Sequence, residues 1–298
     1  MGIGPQIISL YSDIYQDSKI RNNNSVCEIG RQNLVITKNV DDIFIKLFKL
    51  FNKQPSKDIM KLAPKDNWGI RAKKLYESLG FEYTSIDIDN DEKNEETKSN
   101  IVMDLNFDEL KKDHQNKFDL VTNFGTSEHI FNQLNFFKTM HDLTKVGGLL
   151  ISEVPCMFGV NHGMFKYEPK FFTDLARSNA YEIIKLILVK NPPSLEMYQW
   201  NEKSKIPDCE DMCIISVMKK TNQNKFCIPL CGNYENKIKN EVMSRYTYNL
   251  EGNLISGDKT SHILRNINDI SSVKKEVLFS EIIKRFKKKF LIKKIFIF

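Results

Sequence analysis

Nowhere does the 298-residue sequence hold an uninterrupted apolar run of the roughly 18–20 residues that a bilayer-spanning helix needs, so no transmembrane segment is expected. The opening MGIGPQIISLYSD has neither a charged start nor a long apolar core, which argues against a secretory signal there. Pro5 and Gln6 fit a myristoylation site at Gly2 poorly. The expected compartment is the cytosol, where the six cysteines stay reduced. Cys209/Cys213 and Cys227/Cys231 form two C-x3-C pairs, but the C-x2-C knuckle of structural zinc sites is missing. Cys213 and Cys227 fall in apolar runs and read as small core hydrophobes, so no metal is assigned. The G-x-G-x-x-G that cradles a dinucleotide's pyrophosphate is also missing; Gly30 alone stands after the first strand. Finally, the body of the chain lacks net charge. The whole excess of +6 belongs to residues 281–298, where seven Lys and Arg residues meet only Glu281. A basic nucleic-acid-binding surface on the body is therefore not expected.

What is present is an alternation of short apolar strands and amphipathic helices. The strand candidates are residues 25–30, 83–88, 100–105, 118–124, 148–154, 181–189 and 213–218, several of them near-continuous apolar runs. Such runs fit strands covered on both faces. Between them, Ile70, Leu75 and Leu79 mark a helix stopped by Gly80. Ile130, Leu134, Phe137 and Met140 mark a second helix, running from TSEH toward Gly147 and Gly148. A third starts near Pro169 and carries Phe172, Leu175 and Ala176. The fold class is therefore α/β: a Rossmann-like, seven-stranded, mostly parallel sheet with helices on both faces. Residues 31–66 read as a helical insertion after strand one, forming a lid on a domain of residues 1–221. Residues 222–280 form a C-terminal appendage and 281–298 a basic helical tail.

In an open α/β sheet, ligands bind beyond the carboxyl ends of the strands. Here strand one ends at Glu28-Ile29-Gly30, strand two at Asp87, strand three at Asp104 and strand four at Asn123-Phe124-Gly125. Acidic residues closing three successive strands suit a ligand rich in hydroxyl and amino donors. In order and character, VCEIG, SIDID, VMDL, FDLVTNFGTSEHI and KVGGLLISEVP resemble the motifs of class I S-adenosylmethionine-dependent methyltransferases over roughly residues 25–220. The resemblance implies S-adenosyl-L-methionine as cofactor. It implies that Glu28 and Gly30 approach the methionine part, Asp87 holds the ribose hydroxyls, and Asp104 and Leu105 take the adenine. It sets Asn123 and Phe124 beside the cofactor and His129 at the start of the following helix. The first motif departs from the family pattern, with Arg31-Gln32-Asn33 where two more glycines are usual. Asn191-Pro192-Pro193-Ser194 resembles the N-P-P-aromatic motif of amino-methylating enzymes, but it follows strand six instead of strand four and ends in Ser, so it reads as a turn.

After strand five, VNHGMFKYEPKFF lies where an acceptor would sit. His162 is the candidate general base, Gly163 a source of loop freedom, and Phe165, Tyr167 and Phe172 an apolar wall. The alternative for His162 is a loop histidine bonded to backbone, and for His129 a helix cap near Ser127. The expected activity is methyl transfer to an oxygen or nitrogen of a small molecule or glycan precursor, with nucleic acid disfavoured. The alternative is a catalytically silent module of the same fold, tethered to a membrane. The tail, with Phe279, Ile282, Ile283, Phe286 and Phe290 on one stripe and seven bases elsewhere, reads as an interfacial helix for an anionic membrane surface, the alternative being a packed terminal helix with a solvated basic face.

Overall fold

The computed structural model describes residues 2–17, 20, 24–35, 41–56, 59, 70–88, 100–159, 161–201 and 208–232. The basic tail, most of the appendage and parts of the insertion lie outside these. Among the described residues no helix is long and apolar enough to cross a membrane.

The sheet has eight strands: β1 (Ser25–Ile29), β2 (Glu82–Asp87), β3 (Asn100–Val102), β4 (Phe118–Phe124), β5 (Thr144–Phe158), β6 (Glu182–Lys190), β7 (Met197–Gln199) and β8 (Asp211–Lys219). Their spatial order is β3-β2-β1-β4-β5-β8-β6-β7. The pairs from β3 across to β5 are parallel. β8 runs antiparallel to both β5 and β6. All seven expected strands are present; the eighth, β7, is a three-residue antiparallel edge on β6. Asn191-Pro192-Pro193 occupies the turn between these two, with Asn191 at a φ of 47°. Strand order reverses between β1 and β4, and the crevice beyond their carboxyl ends is the expected ligand position.

The near-continuous apolar strands follow from burial on both faces. Successive residues alternate between two cores. Val26, Leu120, Leu149, Ile151 and Ile215 face one, while Cys27, Val121, Leu150 and Ile214 face the other. The first core is covered by α1 (Pro5–Ile14), α2 (Asp41–Leu50) and α3 (Ala72–Leu79). The second is covered by α4 (Gln133–Leu143) and α5 (Pro169–Asn179).

Helix α1 was not evident in the sequence. Gly4 precedes it, Pro5 opens it, and eight of its ten residues are buried. Within the insertion, α2 buries Phe44, Leu47 and Phe48 and packs on α1, joining the core. α3 stops where expected, at Gly80 with a φ of 96°.

The helix after β4 starts later than its spacing predicts. Ser127–His129 is a separate 3-10 turn, and α4 begins after Asn132, whose side chain accepts from the Asn135 N–H at 3.1 Å. This places Phe136, Phe137, Met140 and Leu143 inward and leaves Leu134 exposed. The helix ends at Leu143, before Gly147 and Gly148, because β5 begins at Thr144. Beyond β8 the chain runs along α4 and α5. Asn179 exchanges two hydrogen bonds with the Cys227 backbone, and the Asn224 carbonyl lies 2.7 Å from His141 Nε2. Cys213 and Cys227 are buried as expected, and all six cysteines are free thiols.

Candidate active site

At the end of β1 the chain turns through Gly30, at a φ of 76°, a conformation that favours glycine. A Cβ there would stand 2.2 Å from Thr126 Oγ1, which donates to the Ile29 carbonyl. Glu28 is wholly buried and holds this turn. Its Oε2 accepts from the Gln32 N–H at 2.9 Å and from the Tyr83 hydroxyl at 2.6 Å, while Oε1 has no hydrogen-bond partner among the described residues. Burial pushes its carboxyl up to about 7 against the lowering pull of those donors.

Asp87 and Asp104 come to neighbouring strand ends, tied by the Met103 N–H to the Asp87 carbonyl. Asp87 Oδ2 accepts from both the backbone N–H and Nε of Arg31, at 3.0 and 3.1 Å, and Oδ1 from the Ile88 N–H. Asp104 is half-buried and starts a turn in which its Oδ1 accepts from the Asn106 N–H. The side chain of Leu105 is buried and its carbonyl accepts from Asn135 Nδ2.

Gly30, Asp87 and Asp104 therefore lie at the ends of three adjacent strands, as the sequence order predicts. Asn123 and Phe124 do not present themselves to the crevice. Phe124 is wholly buried in the first core. Asn123 is equally buried, and its amide is engaged by Ser127, Ser152 and the Thr126 N–H. Both shape the strand end from within, because period-two alternation turns them into the two cores.

A second polar group lies across the switch point. Glu128, in the 3-10 turn, is wholly buried, and neither of its carboxylate oxygens has a hydrogen-bond partner among the described residues. Its Oε1 lies 3.4 Å from His162 Nε2 and 4.0 Å from His129 Nε2. The two imidazole rings are 5.4 Å apart between centroids. The loop after β5 is fixed here because the Glu128 carbonyl accepts from the Met164 and Phe165 N–H groups, at 2.9 and 3.2 Å. Gly163 works through close approach: a Cβ on it would meet Glu128 Cγ at 2.9 Å. Loop freedom is not its role. Burial pushes the Glu128 carboxyl up, with the nearby histidines pulling it down.

His162 also lines an open cavity with Gln6, Pro155, Asp211 and Cys213. On β5, Glu153 is wholly buried; Gln6 Nε2 of α1 donates to its Oε1 at 2.8 Å, and Oε2 has no partner among the described residues. Its carboxyl is pushed up to about 7 by burial. Of the expected wall, Tyr167 and Phe172 are buried in the second core and Phe165 is half-buried against Phe131.

Glu128, Glu153, Gln6 and Arg31 were missed by sequence reasoning. Glu153 carried a signal, since a carboxylate inside GLLISEV interrupts a strand buried on both faces. Glu128 carried a weaker one in its place beside His129.

A family model described as a methyltransferase domain matches residues 67–191. Among curated proteins, none matches the chain. Solved structures with a similar arrangement include a Burkholderia thailandensis 1,6-didemethyltoxoflavin-N1-methyltransferase with bound 1,6-didemethyltoxoflavin and S-adenosylhomocysteine. It is 11% identical, with 72% of this chain and 78% of that one covered and a TM-score of 0.42. The trans-methyltransferase CalH in complex with S-adenosylhomocysteine is 11% identical over 72% of this chain and 56% of that one, with a TM-score of 0.42. A methyltransferase from Archaeoglobus fulgidus is 12% identical over 70% and 94% of the two chains, with a TM-score of 0.37. The family match covers 125 of the 298 residues, and the sheet that holds them has the mostly parallel, Rossmann-like strand order described above.

Proposed function

We propose that the protein transfers a methyl group from S-adenosyl-L-methionine to an oxygen or nitrogen of a small molecule or glycan precursor. The observation that carries this reading is the gathering of Gly30, Asp87 and Asp104 at one crevice, with the Glu128–His129–His162 group across it. The residues present fit the cofactor. Glu28 Oε1 is a buried carboxylate oxygen without a partner among the described residues, suited to a cationic, amine-bearing ligand. Asp87 Oδ1 and Asp104 supply acceptors for hydroxyl and amino donors. When bound, S-adenosylmethionine supplies an electrophilic methyl group on a sulfonium.

The protein's own work is to hold the acceptor in line and keep water out. The cavity beside His162 takes the acceptor, with the Gln6 amide and the Asp211 carboxylate in its polar lining. His129 and His162, with Glu128 behind them, form the centre that activates the acceptor. The basic tail holds the enzyme to an anionic membrane surface, a role supported by its sequence alone.

One observation favours a second reading, the catalytically silent module: Arg31 already pairs with Asp87. Calorimetry of S-adenosylmethionine binding decides between the two. Micromolar binding by the wild type, weakened about 10- to 100-fold in Asp87→Ala and Asp104→Ala as hydrogen bonds to a charged group are lost, is the expected result. No binding by a folded wild type would leave the silent module as the better account.

A further inference from the structure

The geometry of Glu128, His129 and His162 points to a divalent transition-metal site of the zinc class at the acceptor side of the crevice. Three donor atoms, one carboxylate oxygen and two imidazole nitrogens, lie within 4.8 Å of one another. Around an ion with ligand bonds of about 2.1 Å, tetrahedral geometry separates ligand atoms by roughly 3.4 Å. Glu128 Oε1 and His162 Nε2 are at 3.4 Å, and Oε1 and His129 Nε2 at 4.0 Å. His129 is exposed, so a small side-chain rotation brings its nitrogen the remaining few tenths of an ångström.

The independent observation is Glu128 itself. Buried carboxylates in folded proteins are almost always hydrogen-bonded, because leaving them unpaired is costly. Here both oxygens lack a hydrogen-bond partner among the described residues, although the Met164 and Phe165 N–H groups donate to this residue's carbonyl and Gly163 closely approaches its side chain. The carboxylate is kept at full burial with two imidazole nitrogens, of His162 and His129, 3.4 and 4.0 Å from its Oε1. One Glu and two His with open positions toward a cavity is the donor set of a metal site that also takes substrate.

This inference deepens the proposed function, since the ion would sit where the acceptor is activated. An acceptor hydroxyl binding at an open position would lose its proton to solvent and be held as an oxyanion, so the histidines would act as ligands in place of a proton-accepting base. That favours an acceptor with a hydroxyl group over one with an amine.

The test uses the full chain, stripped with a chelator and titrated with Co2+, with bound metal counted by mass spectrometry and the site followed by its visible absorption. One ion per chain is expected, with ligand-field bands free of the near-ultraviolet charge-transfer band that thiolates of the six cysteines would give. His129→Ala, His162→Ala and the isosteric Glu128→Gln should each weaken binding by about 100-fold or more, since even outer-shell partners are worth 10–100-fold. Unchanged circular dichroism would show that the variants fold; the two histidines are exposed, so their removal spares the core. No bound ion, or an ion that none of the three variants disturbs, would overturn the site. Calorimetry of S-adenosylmethionine on the same samples separates the two claims: retained cofactor binding without metal rejects only the ion, and metal without cofactor binding rejects only methyl transfer.

Discussion

Glu153 offers a test of the buried electrostatics that does not depend on any ligand. It stands wholly buried on β5, and among the described residues its carboxyl accepts a single hydrogen bond, from Gln6. Its carboxyl titrates at about 7 in the fold against an ordinary 4.5, because burial disfavours the charged form. The folded state therefore binds the proton more tightly than the unfolded chain does. This contribution to stability is fully present below pH of about 4.5, is lost as pH rises through 7, and is gone by about pH 8. A shift from 4.5 to about 7 corresponds to about 3 kcal/mol across that window. Glu28 titrates in the same window for the same reason, so the wild type should lose roughly twice this amount.

Glu153→Gln removes one of the two titrations. The amide is nearly isosteric with the protonated acid and can still pair with Gln6, so near pH 4.5 the variant and wild type should differ little. By pH 8 the variant should be the more stable, by about 3 kcal/mol. Urea unfolding followed by circular dichroism at pH 4.5, 6, 7 and 8 measures this, and the difference between the two pH dependences cancels any constant packing effect. Parallel pH profiles for variant and wild type would refute the reasoning, because they would mean that Glu153 ionises in the fold at its ordinary pKa.

Two further predictions concern stability. Gly30→Ala places a Cβ against Thr126 Oγ1 in a left-handed turn, and should cost about 2–3 kcal/mol in chemical denaturation; the double variant with Thr126→Ala should recover the clash but not the backbone strain. Lys220 is buried, and its ammonium donates to Asn116 Oδ1 and to the carbonyls of His141 and Thr144 at 2.8–3.0 Å. Lys220→Met leaves these acceptors unmatched and should lower the unfolding free energy by about 3 kcal/mol, read from urea midpoints.

The sheet was legible because its strands are buried on both faces, and seven runs of apolar residues sufficed to place it. β7 was not, since three half-exposed residues carry no periodicity. α1 was hidden for the opposite reason: it is buried nearly all round, with Gln6 and Ser12 among its inward residues, so no amphipathic stripe appears. The start of α4 was misplaced because Ser127 looks like a cap, whereas the real cap, Asn132, is held by hydrogen bonds to Asn106, 26 residues away in sequence. Strand-end carboxylates on β2 and β3 could be read, because strand ends are marked by sequence. The Glu128–His162 contact could not, because it joins residues 34 apart through a loop held by backbone hydrogen bonds.

The departure from the usual first motif takes on a physical meaning in this light. A glycine-rich turn is shaped by what it lacks; this turn is shaped by side chains instead. The Gln32 N–H is held by Glu28, the Gln32 amide reaches the Gly30 carbonyl and Thr126 Oγ1, and the Arg31 N–H and Nε are both held by Asp87. Glu28 and Asp87 thereby fix the loop with one carboxylate oxygen each; Glu28 Oε1 has no partner among the described residues, while Asp87 Oδ1 accepts from the Ile88 N–H. It follows that Asp87→Ala would loosen the turn as well as remove an acceptor, so a loss of cofactor binding in that variant has two causes. Asp104 makes no contact with the turn among its described hydrogen bonds. Binding lost in Asp104→Ala is therefore the stronger evidence that this crevice takes the cofactor. Binding lost in Asp87→Ala alone would point to the loop.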